Sequence, residues 1–288
     1  MVFASIFVIF LAGNPKGIGL RVRRGRVRPI VQKVCSVGYR LLARGESFFD
    51  DFFLAKDVPL STIASHQNYE RHLAEIANKE GFRVLEVGSR EVTGPSKARQ
   101  LFSKAEYIGF DFYPGNNVDV VGDAHKLSSY FKQNERFDLI YSSACFEHFA
   151  MPWVVAIEIA KLLKTGGIVF VETHFSFSSH ERPWNFFQFS DMGLRVLFSE
   201  ALGFECIEAG MSNPMVGRFS ASADEYLRYG PVHGLFCHSE YLGRKVRHVE
   251  SIDWTSLDLA SVIGDTKYPK PRSNAGNPLL DPVGQRRM

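Results

Sequence analysis

Hydrophobic positions between residues 60 and 210 fall into short apolar runs separated by longer stretches of mixed polarity. The runs are RVLEV (83–87), YIGFDF (107–112), VDVV (118–121), FDLIY (137–141), IVFVET (168–173) and FECIEA (204–209). Each has the length and β-branched or aromatic content of a buried strand. Before the first of them, residues 61–79 carry apolar positions at helical spacing and predict a helix. Between the runs, the short, basic stretch 95–105 is expected to be helical, 152–163 predicts an amphipathic helix, and residues 191–202 are also expected to be helical. Gly81 stops the first of these. Pro152 opens the third, where its missing N–H costs nothing, and Gly166-Gly167 follow its end. Strands alternating with helices at this interval predict βαβ units, an α/β fold and a mostly parallel sheet.

In such sheets ligands sit beyond the carboxyl ends of the strands, close to the point where strand order reverses. The first strand runs into Gly88-Ser89, where the backbone can approach a ligand closely. Asp111 closes the second strand about twenty residues later, the usual distance for an acid that holds ribose hydroxyls. The strand-to-glycine-to-acid pattern also describes an ordinary strand end followed by a surface aspartate. The residues after it sharpen the pattern: Gly122-Asp123-Ala124 comes directly behind the third strand, with Asp123 able to accept from an adenine amino group. FDLIYSSACFEHF then carries a fourth strand into a polar loop.

VLEVGS (84–89), YIGFDF (107–112), VVGDAHKL (120–127), FDLIYSSACFEHFAMPW (137–153) and LLKTGGIVFVETHF (162–175) together resemble the class I methyltransferases that use S-adenosylmethionine. The likeness is to the small-molecule and sugar branch with a Glu-His loop after the fourth strand. It implies a Rossmann-like, mostly parallel seven-stranded sheet flanked by helices, a single domain with N- and C-terminal extensions. By that resemblance Glu86, Gly88 and Ser89 surround the methionine part of the donor. Asp111 holds the ribose, Phe112 lies beside the adenine, Asp123 and Ala124 contact its edge, and Ser143 lies near the sulfonium. The family's second glycine is replaced by Arg90. That replacement leaves the contact to the donor's carboxylate open, with Arg90 itself a candidate for it.

Methyl transfer from a sulfonium mainly requires bringing acceptor and methyl group together, and a hydroxyl acceptor is helped by a general base. Histidine suits that role near neutral pH. His148, in the Glu147-His148 pair beyond the fourth strand, is the first candidate; His180, followed by Glu181, is the second. Either imidazole could equally pack or hydrogen-bond within its loop. Some ubiquinone-pathway O-methyltransferases resemble this loop and hold a divalent cation through Glu-x-x-Glu-His. Here the first acid is Ala144, so no metal is expected. Residues 174–190 (HFSFSSHERPWNFFQFS), rich in His, Trp and Phe, are the expected acceptor wall; their rings suit a sugar or planar acceptor, or else belong to the core. The phrase HERPWNFFQFS resembles the equivalent loop of small-molecule and sugar methyltransferases often linked to polysaccharide synthesis. The acceptor is accordingly expected to be a small molecule or a carbohydrate, such as a sugar or polysaccharide-precursor hydroxyl.

Composition changes this picture only at the ends. The 288 residues are 45% hydrophobic and 23% charged, ordinary for a globular chain. The net charge of +3 is unevenly spread: residues 1–44 hold nine Lys or Arg and no acid, so the rest stands near −6. The expected division is a basic N-terminal extension (1–58), partly disordered or helical, a methyltransferase domain (59–248) and a largely irregular tail (249–288). Residues 1–12 (MVFASIFVIFLA) are shorter than the ~20 a membrane helix needs, and with the basic residues behind them suit a weak membrane-surface contact. Cys35, Cys145, Cys206 and Cys237 have no paired spacing, which points to a reducing cytoplasm and neither zinc nor disulfides. Two other functions use the same features: an RNA methyltransferase employing the basic arm, and a non-catalytic Rossmann-like binding protein. Nucleic acid is disfavoured by the acidic body. A nicotinamide-dependent oxidoreductase lacks its glycines, since Ser89, Arg90 and Glu91 follow Gly88.

Overall fold

The structure, a computed structural model, describes residues 54–249 together with residues 36–38, 40, 252, 255 and 262. The chain divides into two units, Met1–Phe52, in which residues 36–38 and 40 are described and helical, and Phe53–Met288. The apolar segment 1–12, eight of the nine basic residues of the arm, and most of the tail lie outside the described residues.

Phe53–Met288 is built on one seven-stranded sheet, ordered β3-β2-β1-β4-β5-β7-β6. The strands are β1 (Arg83–Val87), β2 (Glu106–Asp111), β3 (Val120–Val121), β4 (Phe137–Ser143), β5 (Leu163–His174), β6 (Phe204–Arg218) and β7 (Pro231–Lys245). The first five pair in parallel; β7 runs antiparallel to both β5 and β6. Strand order reverses between β1 and β4, and in such sheets ligands bind beyond the carboxyl ends of the strands at that point.

Both faces of the sheet are covered, which is why its parallel strands read as nearly unbroken apolar runs. Leu85, Val87, Phe110, Ile140, Val169 and Val171 face α3 (Pro152–Leu162) and α4 (Asp191–Leu197). Val84, Leu139, Phe170 and Leu242 face α1 (Tyr69–Ala77) and Phe102, which follows the single turn α2 (Ala98–Leu101). Each such side chain, fully buried, contributes about 1.5–3 kcal/mol.

Several element limits differ from the sequence expectation. The helix expected over 61–79 begins at Tyr69, because the N–H groups before it are engaged elsewhere. Ser61 donates to the Met211 carbonyl, while Thr62, Ile63 and Ala64 donate to the Glu208 carboxylate. Burial would push the Glu208 carboxyl up, but those backbone donors outweigh it and hold it below its usual range. The helix expected at 95–105 shrinks to α2. The one expected at 191–202 breaks after Leu197 and resumes as a 3-10 turn at Glu200–Leu202, closed by Gly203 at φ 88°. Gly166 is not a helix cap: α3 stops at Leu162, and Gly166 (φ 85°) lies inside β5, where the pairing with β4 shifts register. At the end of α3 the buried Lys245 ammonium of β7 donates to the Ala160 and Leu163 carbonyls. Among the described residues, no helix is long and apolar enough to cross a membrane, and Cys145, Cys206 and Cys237 are unbridged.

Candidate functional site

The tip of β1 is held by its neighbours. Gly88 adopts φ 91°, and both Gly88 and Ser89 donate their N–H groups to the Phe110 carbonyl of β2. A Cβ at Gly88 would lie 2.6 Å from Cys145 Sγ, so the loops after β1 and β4 meet at this glycine. The Ser89 side chain is buried against Gly109, and its hydroxyl lacks a hydrogen-bond partner. Glu86 points to the α1 side and accepts from the Tyr107, Tyr141 and Asn117 side chains. Burial pushes its carboxyl up despite those donors. A cavity of about 20 Å³, room for roughly one water, is lined by Glu86, Tyr69, Ser96 and Tyr141.

Asp111, at the end of β2, lies 14% exposed. Its Oδ1 accepts from the Tyr113 N–H (3.0 Å) and Arg90 Nε (3.4 Å), and its Oδ2 from the Arg90 N–H (3.2 Å). Beside it Phe112 is 51% exposed, 6.0 Å from the ring of Trp184 in the loop after β5. Asp123 caps the 3-10 turn Ala124–Tyr130, accepting from the backbone and ring nitrogens of His125. Partial burial would raise its carboxyl, but those bonds hold it below the ordinary range. Ala124 is buried behind it. The structure thus gathers Glu86, Gly88, Asp111 and Phe112 at adjoining strand ends. It leaves Asp123 engaged with His125 and turns the Ser89 hydroxyl into the sheet.

These residues suit the donor that the resemblance implies. A buried carboxylate matches an ammonium, an acid at a strand tip matches a cis-diol, and a half-exposed phenyl face matches an adenine. In this conformation Arg90 lies against Asp111.

The loop after β4 turns at Ala144, whose φ of 48° is a left-handed value that a non-glycine residue holds only under constraint. Its N–H donates to the Glu172 carbonyl. Glu147, fully buried, accepts from the Thr173 hydroxyl (2.6 Å) and His174 Nδ1 (2.6 Å). Burial would raise its carboxyl; those two bonds outweigh it and hold the group below the usual range. The Glu147 carbonyl also receives the N–H groups of Phe186 and Phe187, tying the aromatic loop to the β4 loop.

His148 and His180 meet edge-on with their Nε2 atoms 3.2 Å apart. Carbonyls only accept, so His148 Nδ1 must donate to Trp184 O (2.8 Å) and His180 Nδ1 to Ser178 O (2.9 Å). When both rings are neutral, two lone pairs therefore face each other, with a Glu147 oxygen 3.8 and 4.0 Å away. The arrangement can accept one proton between the two nitrogens. The expected aromatic wall divides: Phe189 is core and Phe187 packs against it, whereas Phe177, Trp184 and Phe186 are exposed.

A second polar cluster was not legible in sequence. Ser143, at the tip of β4, accepts from Tyr69 (3.3 Å) and donates to Glu172 (3.1 Å), whose other oxygen meets His66 Nδ1 at 2.8 Å. That bond raises the pKa of His66. His66 stacks on His238 at 4.1 Å, and burial lowers the pKa of His238. Glu240 accepts from Ser61, Ser212 and the His66 N–H, yet burial pushes its carboxyl up to about 7. The cluster exists because antiparallel β7 sets Glu240 against Glu172 and His238 against His174, a pairing that no local motif announces.

A family model described as "Methyltransferase domain" matches residues 63–209. No curated protein matches the chain. Among solved structures, one similar chain is an S-adenosylmethionine-dependent methyltransferase from Archaeoglobus fulgidus. It is 16% identical, with 63% of this chain and 95% of that one covered and a TM-score of 0.42. Another is the 1,6-didemethyltoxoflavin-N1-methyltransferase of Burkholderia thailandensis, with 1,6-didemethyltoxoflavin and S-adenosylhomocysteine bound. It is 13% identical, with 81% of this chain and 94% of that one covered and a TM-score of 0.44.

Proposed function

The chain belongs to the methyltransferase-domain family, and on that premise we propose that it transfers a methyl group from S-adenosylmethionine to a hydroxyl of a small-molecule acceptor, a sugar or polysaccharide precursor being the preferred class. One observation carries the reading: Gly88, Asp111 and Phe112 lie at the adjoining tips of β1 and β2, Phe112 is 6.0 Å from the ring of Trp184, and the Trp184 carbonyl in turn receives Nδ1 of His148, whose Nε2 meets that of His180. When bound, the donor supplies an electrophilic methyl carbon. The chain's own residues do the rest. Asp111 would accept the ribose hydroxyls, Glu86 and Ser143 would line the methionine end, and Phe112 would lie along the adenine. Asp123 and Ala124 stand at the adenine edge, with the Asp123 oxygens shared with His125.

On the acceptor side, Trp184, Phe186 and Phe177 offer exposed rings to a sugar face. The Nε2 atoms of His148 and His180 would take the proton of the acceptor hydroxyl as its oxygen bonds to the methyl carbon and the carbon–sulfur bond breaks, leaving S-adenosylhomocysteine, and Glu147 would balance the charge so formed. The base is therefore the imidazole pair, with His148 and His180 acting as a unit.

A labelled-methyl transfer screen across sugar, lipid, quinone and RNA acceptors, run with wild type, Asp111→Ala and His148→Ala, tests this. Label on a hydroxylated small molecule is the expected result. Label confined to RNA, or wild type that binds neither S-adenosylmethionine nor S-adenosylhomocysteine by calorimetry, rejects it.

A further inference from the structure

Arg90 stands where the resemblance leads one to expect glycine, and its side chain has a definite place. The stem crosses Gly115, whose Cβ, were there one, would lie 2.8 Å from Arg90 Cγ and 2.9 Å from Cδ. The guanidinium lies over the Tyr113 ring, 5.5 Å from its centre, and its Nε reaches Asp111 Oδ1.

Asp111 has too few acceptor sites for this arginine and a ribose together. A carboxylate has about four lone-pair sites. Backbone N–H groups of Tyr113 and Arg90 take one on each oxygen of Asp111, and Arg90 Nε takes a further one on Oδ1. A single site remains, while a ribose cis-diol needs two. With the Arg90 side chain withdrawn, each oxygen would keep one free site, the number a diol requires.

We propose that Arg90 has two stations. With the site empty it occupies half of the ribose-binding capacity of Asp111; with donor bound it leaves Asp111 and pairs with the donor's α-carboxylate. The inference rests on the donor reading above. It makes Arg90 a specificity-determining residue that favours nucleosides bearing a carboxylate over those without one. A ligand offering only a ribose must displace the guanidinium with no compensation, whereas one carrying a carboxylate gives the guanidinium a new partner.

Two probes separate the stations in the full-length chain: S-adenosylhomocysteine, which has both ribose and carboxylate, and 5′-methylthioadenosine, which has the ribose and no carboxylate. Their dissociation constants are to be measured by calorimetry for wild type, Arg90→Ala and Gly115→Ala. Arg90→Ala frees Asp111 and removes the cation. It should bind methylthioadenosine about two- to fivefold more tightly, the scale of a partly exposed ion pair. It should bind S-adenosylhomocysteine more weakly, so that wild type's preference for the carboxylate-bearing probe shrinks by about tenfold or more. Gly115 has an ordinary backbone conformation, and a methyl group there pushes the arginine stem off while leaving its charge. Gly115→Ala should therefore tighten both probes.

Arg90→Ala with unchanged or weaker methylthioadenosine binding overturns the first station. An unchanged preference between the probes overturns the second. Wild type that binds neither probe overturns the donor reading itself, and the inference falls with it.

Discussion

Asp111 and His148 act at opposite sides of the proposed reaction, so their variants should fail in different ways. Asp111→Ala removes the acceptors for both ribose hydroxyls. Hydrogen bonds to a charged group are worth ~1.5–3 kcal/mol, so donor affinity should fall about ten- to a hundredfold. His148→Ala leaves His180 a lone imidazole without its partner nitrogen. Turnover should drop by roughly 10²- to 10⁴-fold with the donor dissociation constant unchanged; unchanged turnover removes the pair from the mechanism. Glu240 makes a separate prediction about pH. Its folded pKa of about 7 lies above the ordinary value of 4.5, so the fold prefers the neutral acid. That contribution is complete below the unfolded pKa and is lost as pH rises through 7. Glu240→Gln stays neutral and should not lose it. Between pH 5 and 8 wild type should become less stable relative to the variant, by on the order of 3 kcal/mol at the upper end. Melting curves across that range check it, and a constant difference between the two proteins would exclude this titration. The sequence made Asp111 and His148 conspicuous because Asp111 closes an apolar run and His148 lies in the polar loop that follows one. His66, Glu172 and Glu240 were invisible as a cluster, because His66 meets Glu172 across 106 residues and Glu240 across 174.

At the scale of elements, the strands that are buried on both faces declared themselves, and those shaped by their partners did not. Burial on both faces forces β1, β2, β4 and the middle of β5 to be apolar, and their runs stand out in the chain. β7 was unread because PVHGLFCHSEYLGRK mixes glycine, histidine and charge; it becomes a strand by pairing with β5 on one side and β6 on the other. Helix limits were misread for the same reason. Residues 61–64 have helical spacing, yet Glu208 and Met211 of β6 capture their N–H groups. Lys245 shows what such long-range capture contributes. It is 2% exposed and its ammonium closes the end of α3, although burial lowers its pKa to about 8. Lys245→Met preserves much of the packing and leaves the Ala160 and Leu163 carbonyls without their donor. Unsatisfied buried acceptors cost ~1–3 kcal/mol each, offset in part by relief from burying a charge, so a net loss of about 1–3 kcal/mol is expected. Urea denaturation measures it; stability equal to wild type would mean that other donors reach those carbonyls.

For the whole molecule the question is what the charge asymmetry does. Residues 1–44 carry nine cations, and the rest of the chain is acidic. A basic arm supplies sequence-independent affinity for phosphate whose strength falls steeply with salt. The proposed chemistry needs nothing from that arm: every residue assigned to donor or acceptor lies between Glu86 and Trp184 or Phe186, within Phe53–Met288. The two properties should therefore separate. A variant lacking residues 1–52 should keep the S-adenosylhomocysteine affinity of the full chain and its transfer to a small hydroxylated acceptor. Any retardation of total RNA in a gel at low salt should disappear with the arm, and in the full chain it should fade between about 50 and 200 mM salt, as nonspecific phosphate contacts do. The opposite outcome is equally readable. If deleting the arm abolishes methyl transfer while donor binding survives, the arm presents the acceptor, and the substrate is a phosphate-bearing polymer in place of a neutral sugar.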